Sequence, residues 1–326
     1  MPSRTNVLRL KDHLFQTPFT DRSTEAANTT GESSSERVLR FYYPQPSFPA
    51  VSVTGGGCAL NCKHCGGHYL EGMADVSTPE KLKEFCVGLE ARGGVGLLVS
   101  GGSTLEGRVP LRPFLPTLGW VKENTGLIVN LHTGMLDLDE AEEIAATGID
   151  IVSVDVVGSD ETLKEVYGLD ASVEDYGDTL RFLEEAGVPT VAPHVCVGLH
   201  FGELRGELRS LDIIGRIDPE VIVFLSLIPT LGTEMADVSP PEIDDIIEVI
   251  SAAVERFPKA AVSLGCMRSR QDKEEMERRA IEAGASRVAV ASRSTLEWAK
   301  ERGYAVRVID GCCTIPERLE ERALRS

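Results

Sequence analysis

No stretch of this 326-residue chain is apolar for long enough to cross a bilayer, because its most apolar run, Val221 to Leu231, falls well short of the ~20 helical residues a span requires. No charged-then-apolar signal opens the sequence either. Basic residues are scarce: 33 Lys and Arg against 51 Asp and Glu leave a formal charge of −18, which repels phosphate backbones and argues against nucleic acid or an anionic membrane as partner. With 42% hydrophobic and 26% charged residues, the composition excludes wholesale disorder, collagen-like repeats and a disulfide scaffold. What remains is a soluble, cytoplasmic globular protein, long enough for two ordinary domains or one large α/β barrel.

The segment DRSTEAANTTGESSSE ending at Glu36 has almost nothing apolar to bury and predicts a flexible N-terminal tail over 1–36. From Pro49 onward, β-branched runs alternate with polar, helix-competent segments. The runs are 50–54, 95–100, 127–132, 150–157, 190–199, 220–228, 260–266 and 286–292. Near-continuous apolar strands of this kind belong to a parallel sheet covered on both faces. Ser77, Ser172 and Ser294, each with an acidic residue three positions on, resemble helix N-caps, and Ser239 precedes two prolines suited to a first turn. Gly93, Gly148, Gly187, Gly284 and Gly303 stand where helix C-caps favour a left-handed residue. Eight strand–helix repeats predict a (β/α)8 TIM-type barrel over 37–303, with a doubly wound open sheet as the alternative. A ninth strand, Tyr304 to Asp310, lies beyond the count, and 304–326 reads as a C-terminal extension folding over the barrel mouth.

In such a barrel the chemistry lies at the C-terminal ends of the strands. Cys58, Ser100, Asn130, His132, Asp155, Cys196 and Cys266 all fall there. Three of the eight cysteines, Cys58, Cys62 and Cys65, crowd the loop after the first run, between Gly55-Gly56-Gly57 and Gly66-Gly67. Their spacing wraps three sulfurs around one metal centre and leaves an open coordination position on a four-iron cubane. The competing reading is zinc, with His68 as fourth ligand of a closed tetrahedral set. Cys86, among Phe85, Val87 and Leu89, reads as a small buried hydrophobe.

These residues resemble the radical S-adenosylmethionine (SAM) enzymes: CALNCKHC fits their CxxxCxΦC signature, with His64 in the ring-bearing position. The resemblance implies a [4Fe–4S] cluster on Cys58, Cys62 and Cys65 that binds SAM and cleaves it to methionine and a 5′-deoxyadenosyl radical. Ser100-Gly101-Gly102-Ser103 stands in place of the family's Gly-Gly-Glu segment, with Ser103 replacing the glutamate. Asn130, His132 and Asp155 stand where related enzymes place polar groups on the ribose or carboxylate. Read without the resemblance, the double glycine is a tight turn and each polar residue a satisfied interior group.

The eight-repeat pattern resembles the biotin-synthase branch, which includes hydrogenase-maturation and methylornithine-forming enzymes. Across 37–326 it is most similar to the biotin-synthase-like half of a split, archaeal-type lipoyl synthase, through CALNCKHCGGHYLEGM, LLVSGGSTLEGRVPL, LIPTLGTEM and VSLGCMR. That resemblance implies sulfur insertion into an octanoyl chain on a lipoyl carrier domain, a paralogous radical SAM subunit, and a small electron donor such as ferredoxin. It also implies an auxiliary [4Fe–4S] cluster. Residues 1 to 57 hold no cysteine, so its ligands would come from Cys196, Cys266, Cys312 and Cys313. A small-molecule mutase or a hydrogenase-cofactor maturase would need no second cluster, and a non-enzymatic zinc-binding barrel is the reading from outside the enzymes. Arg268, Arg270, Lys273, Arg278 and Arg279 form either a docking patch for an acidic carrier or a solvated helix face balanced by Glu274, Glu275 and Glu277.

Overall fold

The computed structural model describes residues 37–325, so the tail expected over 1–36 lies outside the described residues. The strands are β1 (Val38–Tyr42), β2 (Ala50–Ser52), β3 (Ala74–Asp75), β4 (Gly96–Ser100), β5 (Ile128–His132) and β6 (Ile151–Asp155). They continue as β7 (Val191–Val197), β8 (Val221–Ser226), β9 (Ala261–Leu264), β10 (Arg287–Ala289) and β11 (Ala305–Ile309). Alternating with them are α1 (Pro79–Ala91), α2 (Leu115–Asn124), α3 (Leu138–Ala146), α4 (Asp160–Thr162) and α5 (Val173–Glu185). The remaining helices are α6 (Glu207–Ile214), α7 (Ile243–Arg256), α8 (Lys273–Glu282), α9 (Arg293–Glu301) and α10 (Glu317–Glu320).

All eight anticipated runs are strands, β2 and β4 to β10, and each pairs in parallel with its neighbours in chain order. The fold is therefore the expected barrel-type α/β sheet. It is not a closed ring: the order runs β11-β1-β10-β9-β8-β7-β6-β5-β4-β2-β3. The edge of β2 that would close the ring is taken by β3, and the outer edge of β1 is taken by β11. Strand β1 escaped the periodicity reading because Arg40 interrupts its apolar run. Its alternation is real, with Leu39 and Phe41 packed against the helix layer and Tyr42 turned into the interior.

Period-two alternation sorts every strand. Leu97, Val99, Val129, Leu131, Val152 and Val154 pack outward, while Ile128 and Ile151 fill the inside with Val221 and Val223. Asn130, His132, Ser153 and Asp155 share the parity of that inner set and climb toward the strand ends. The five glycines expected to end helices all have positive φ. Ser172 and Asp175 form the expected capping box. Two caps are displaced: Thr78 rather than Ser77 caps α1, and Ser292 rather than Ser294 caps α9. Helix α7 begins after Glu242, beyond the two prolines. Among the described residues no helix is long and apolar enough to cross a membrane.

The C-terminal extension does not cover the mouth. Arg318 donates to the Pro189 carbonyl and the Thr190 hydroxyl and pairs with Glu220, and Arg322 donates to the Gly126 carbonyl. Those acceptors immediately precede β7, β8 and β5, so the extension closes the opposite, strand-N-terminal end of the barrel. Its Cys313, Ile315 and Ala323 pack there against Ile128, Ile151, Ala192 and Val221. The physical reason is the sequence ERLEERALR, whose charges find complementary groups at the base.

Candidate active site

The loop after β2 is shaped by backbone that only particular residues adopt: Gly66 has φ 49° and Gly67 φ 79°, and Asn61 sits at φ 49°. The tight turn that follows folds Cys65 and Gly66 back onto the Cys62 carbonyl, at N···O 3.1 and 2.8 Å. Cys62 is buried, and Cys58 and Cys65 are half-buried. A shared proton between Cys62 and Cys65 holds the Cys65 thiol down to about 4, helped by the neighbouring His64, and pushes that of Cys62 up. Ligand atoms of Cys62, His64 and Cys65 lie within 4.8 Å of one another. The buried Nδ1 of His64 has no partner, and its ring tilts against Tyr167 at 5.3 Å between centroids.

Strand β4 locks this loop in place. The Gly102 amide donates to Thr54 Oγ1 at 2.7 Å, and the Ser103 carbonyl accepts from the Ala59 amide at 2.8 Å and lies 4.0 Å from the Cys58 thiol. A β-carbon on Gly102 would collide with the Gly57 carbonyl and with Cys58, so glycine there is a packing requirement. Ser103 contributes through its backbone.

Three thiols on one glycine-flanked loop suit a sulfur-bridged metal cluster. The zinc alternative fares worse. His68 turns Nδ1 back to the Cys65 carbonyl at 2.9 Å. Among the described residues the converging donors are Cys62, His64 and Cys65, and Cys58, on the same loop, stands outside that group as His68 does.

Beside this loop is a cavity of about 110 Å³ lined by Leu60, Ser100, Gly101, Ser103, His132 and Asp155, among others. Tyr167, Leu169 and Tyr176 close its far side. His132 Nε2 lies 3.2 Å from Asp155 Oδ2. Burial alone would lower the imidazole, but the charge of Asp155 and their hydrogen bond outweigh it and its pKa is raised. Asp155, against the cost of burial, is held at about 2 by the same pairing. His194, with its ring 5.5 Å from that of His132, is pushed down to about 4 by burial and then by His132. The interior thus sets one histidine favouring its charged form beside one that stays neutral.

Asn130 belongs to a lower level. Its Oδ1 accepts from Ser153 Oγ at 2.9 Å and its Nδ2 donates to Thr314 Oγ1 at 3.0 Å. The four later cysteines are not gathered into one group of donors among the described residues. Cys312 approaches Asn130 at 4.0 Å, and its charge bears on both His132 and Cys266. Cys313 is packed among Ile309, Ile315 and Ala323. Cys196 stands apart, under the influence of Asp155 and Glu207. Cys86 is fully buried on α1, as expected.

The basic cluster dissolves on inspection. Arg268 is buried and pairs with the equally buried Glu277 at 2.6 Å, while donating to the Gly265 and Ala289 carbonyls. Arg279 pairs with Asp244 and Glu275, and Arg278 pairs with Glu274 while its guanidinium stacks over Trp298. A docking surface built on Arg268 is therefore excluded. Sequence reasoning missed Tyr167 and Tyr176, which no local pattern marks, and Thr54, which alternates with Ser52 in the run 50–54 and lies in the turn just past β2.

Residues 52–206 match the model of the Radical SAM superfamily. The chain is 28% identical over 247 residues to the biotin synthase of Chromohalobacter salexigens, a match covering 73% of this chain and 65% of that protein. It is 25% identical over 274 residues to the biotin synthase of Burkholderia ambifaria, covering 79% and 75%. In fold it is similar to HydG, a maturase of the [FeFe]-hydrogenase, with TM-score 0.61 at 16% identity over 83% of this chain and 64% of that one. It is likewise similar to methylornithine synthase (PylB), with TM-score 0.59 at 17% identity over 83% and 84%.

Proposed function

We propose that the chain, whose residues 52–206 match the radical SAM superfamily and which is 28% identical to a biotin synthase, is a radical SAM enzyme of the biotin-synthase-like branch that inserts sulfur into an unactivated carbon of an octanoyl chain carried on a lipoyl domain. The observation that supports this reading is a further thiol inside the same barrel: Cys312, whose Sγ lies 4.0 Å from Asn130 Nδ2 on β5. When bound, a [4Fe–4S] cluster on Cys58, Cys62 and Cys65 together with SAM supplies an electron and a 5′-deoxyadenosyl radical, and an auxiliary cluster supplies sulfur.

The chain's own residues provide the rest. Leu60, Tyr167, Leu169 and Tyr176 give the cavity its apolar and aromatic lining. Gly101 and Gly102 let β4 approach the cysteine loop, and Ser100 and Ser103 border the space beside it. The His132–Asp155 pair offers a fixed proton-bearing imidazole to an anionic or carbonyl group, and Asn130 with Thr314 forms the floor. Two sulfurs are needed for a lipoyl group, so a paralogous radical SAM subunit would take one insertion, with a small donor such as ferredoxin supplying electrons.

Anaerobically reconstituted protein given SAM, reductant and an octanoylated carrier domain should yield 5′-deoxyadenosine and a carrier heavier by one sulfur in mass spectrometry. Cleavage of SAM with an unmodified carrier would reject sulfur insertion. The polar interior of His132, Asp155 and His194 favours a second reading, rearrangement of a small polar molecule, and protein retaining full activity after loss of Cys266 and Cys312 would support that one.

A further inference from the structure

We propose that the C-terminal segment 310–325 is an arm that carries Cys312 into the barrel interior, and that Glu320 is the positioning residue that locks it there; the use made of Cys312 rests on the second sulfur-bearing centre read above. Glu320 has no exposed surface. Its carboxylate accepts from Arg40 Nε at 2.8 Å and from the Tyr42 hydroxyl at 2.7 Å, and lies 3.2 Å from Arg287 Nη2. Arg287, itself buried on β10, donates Nη1 to the Cys313 carbonyl at 3.2 Å and to the Ile315 carbonyl at 2.6 Å. Those two carbonyls flank Thr314, whose hydroxyl is held by Asn130 from the far side of the interior at 3.0 Å. The same amide nitrogen of Asn130 stands 4.0 Å from Cys312 Sγ.

Every interior tie of the arm thus converges on residues 312–315, and each runs back to Glu320 through one guanidinium or forward to β5. A planar guanidinium that holds two carbonyls from Nη1 while Nη2 faces the Glu320 carboxylate fixes the direction of the peptide relative to the carboxylate, which the single nitrogen of a lysine could not do. The segment is tied by Arg318 and Arg322 at the base, and it pairs back onto β11, with the Arg325 amide donating to the Val308 carbonyl at 3.0 Å. Burying a carboxylate among arginines is a demanding way to hold a surface tail, because an ion pair out of water gains little over an apolar contact of the same size. It is an effective way to specify one position for the thiol next to it.

The test uses full-length protein without clusters, labelled anaerobically with a 5-kDa polyethylene glycol maleimide and read cysteine by cysteine in mass spectrometry. Glu320→Gln should raise the labelling rate of Cys312 by about tenfold or more through local release of the arm, while fully buried Cys86 stays protected. Thr314→Val, which cuts the tie to Asn130 and spares the buried charges, should give a smaller rise at Cys312 and keeps the test available should the first variant fold poorly. Glu317→Gln, at the exposed partner of Arg40, should change nothing. Equal acceleration at Cys312 and Cys86, or none at Cys312 in both folded variants, would overturn the arm.

A second readout is iron retained after reconstitution by protein with Cys58, Cys62 and Cys65 all changed to Ala. Iron bound on that background and lost on adding Glu320→Gln supports delivery of Cys312 to a metal centre. Iron unchanged by Glu320→Gln counts against it. Absence of iron in both rejects the second-centre reading alone, and the labelling result still decides the arm.

Discussion

At the mouth of the barrel three half-buried or buried thiols sit on a loop of glycines in left-handed backbone, held by main-chain contacts to β4. At the base, a carboxylate with no exposed surface is ringed by Arg40, Arg287, Arg307 and Tyr42. The mouth uses local sequence to bend a short segment around a large group, so its determinants lie within a dozen residues. The base joins positions more than two hundred residues apart, and a buried charge there is tolerable only because its partners are already aligned by three strands, β1, β10 and β11. One end is built to receive a ligand and the other to exclude movement. Changes at the mouth should therefore cost chemistry with little stability, and changes at the base the reverse.

The largest contrast is expected from single changes of Cys58, Cys62 or Cys65 to Ala. Each should lower 5′-deoxyadenosine formation by about 10³-fold or more, a barrier change of ~4 kcal/mol, while thermal unfolding of cluster-free protein stays within a few degrees of the parent. Gly102→Ala should act in the same direction without touching a thiol. The new β-carbon has no room beside Gly57 and Cys58, and iron bound at the first site should fall by about tenfold, ~1.4 kcal/mol in affinity.

At the base and under β10, removing a partner from a buried pair should cost stability. Arg268→Glu is expected to lose about 3–5 kcal/mol in denaturant unfolding and Glu320→Gln less, because its release is local to residues 310–325, whereas Arg270→Glu, on the exposed loop, should stay within about 0.5 kcal/mol. Equal losses at Arg268 and Arg270 would break the comparison.

The histidines sharpen it further through pH. His194 titrates near 4 in the folded protein against 6.5 in the unfolded chain, so below 6.5 the unfolded state binds more protons and stability is lost as pH falls toward 4. The full contribution is about 3 kcal/mol, and His194→Gln should flatten that limb of the stability curve. His132 has the opposite sign: its raised pKa adds stability that is complete below 6.5 and fades as pH rises through the folded value. A mutant lacking His132 should therefore lose the decline on the alkaline side and keep only the part of the acid limb that the burial of His194 sets.

Much of the mouth was readable because its information is local. Cys58, Cys62 and Cys65 declare themselves by spacing, and all eight runs anticipated as barrel strands are strands in chain order, since alternation and helix signals act over a few residues. Where reading stopped, the reason was distance in sequence. Cys266, Cys312, Cys196 and Cys313 look equivalent on paper, yet strand parity and the path of the C-terminal segment send them to different places. Arg268 reads as one cation in a mixed-charge run. Only the meeting of β9, β10 and α8 turns it inward onto Glu277.

The amino-acid sequence by itself determined the order of strands, the helix stops at glycine and the three-thiol loop, because backbone preference and apolar period are properties of neighbouring residues. The open edge between β3 and β11 was decided only in three dimensions, where both strands that would close the ring already had partners. So was the entry of the C-terminal segment at the base instead of the mouth. Its charges are satisfied only by carbonyls and carboxylates that the assembled barrel brings to that end, and no window of the sequence contains both halves of those bonds.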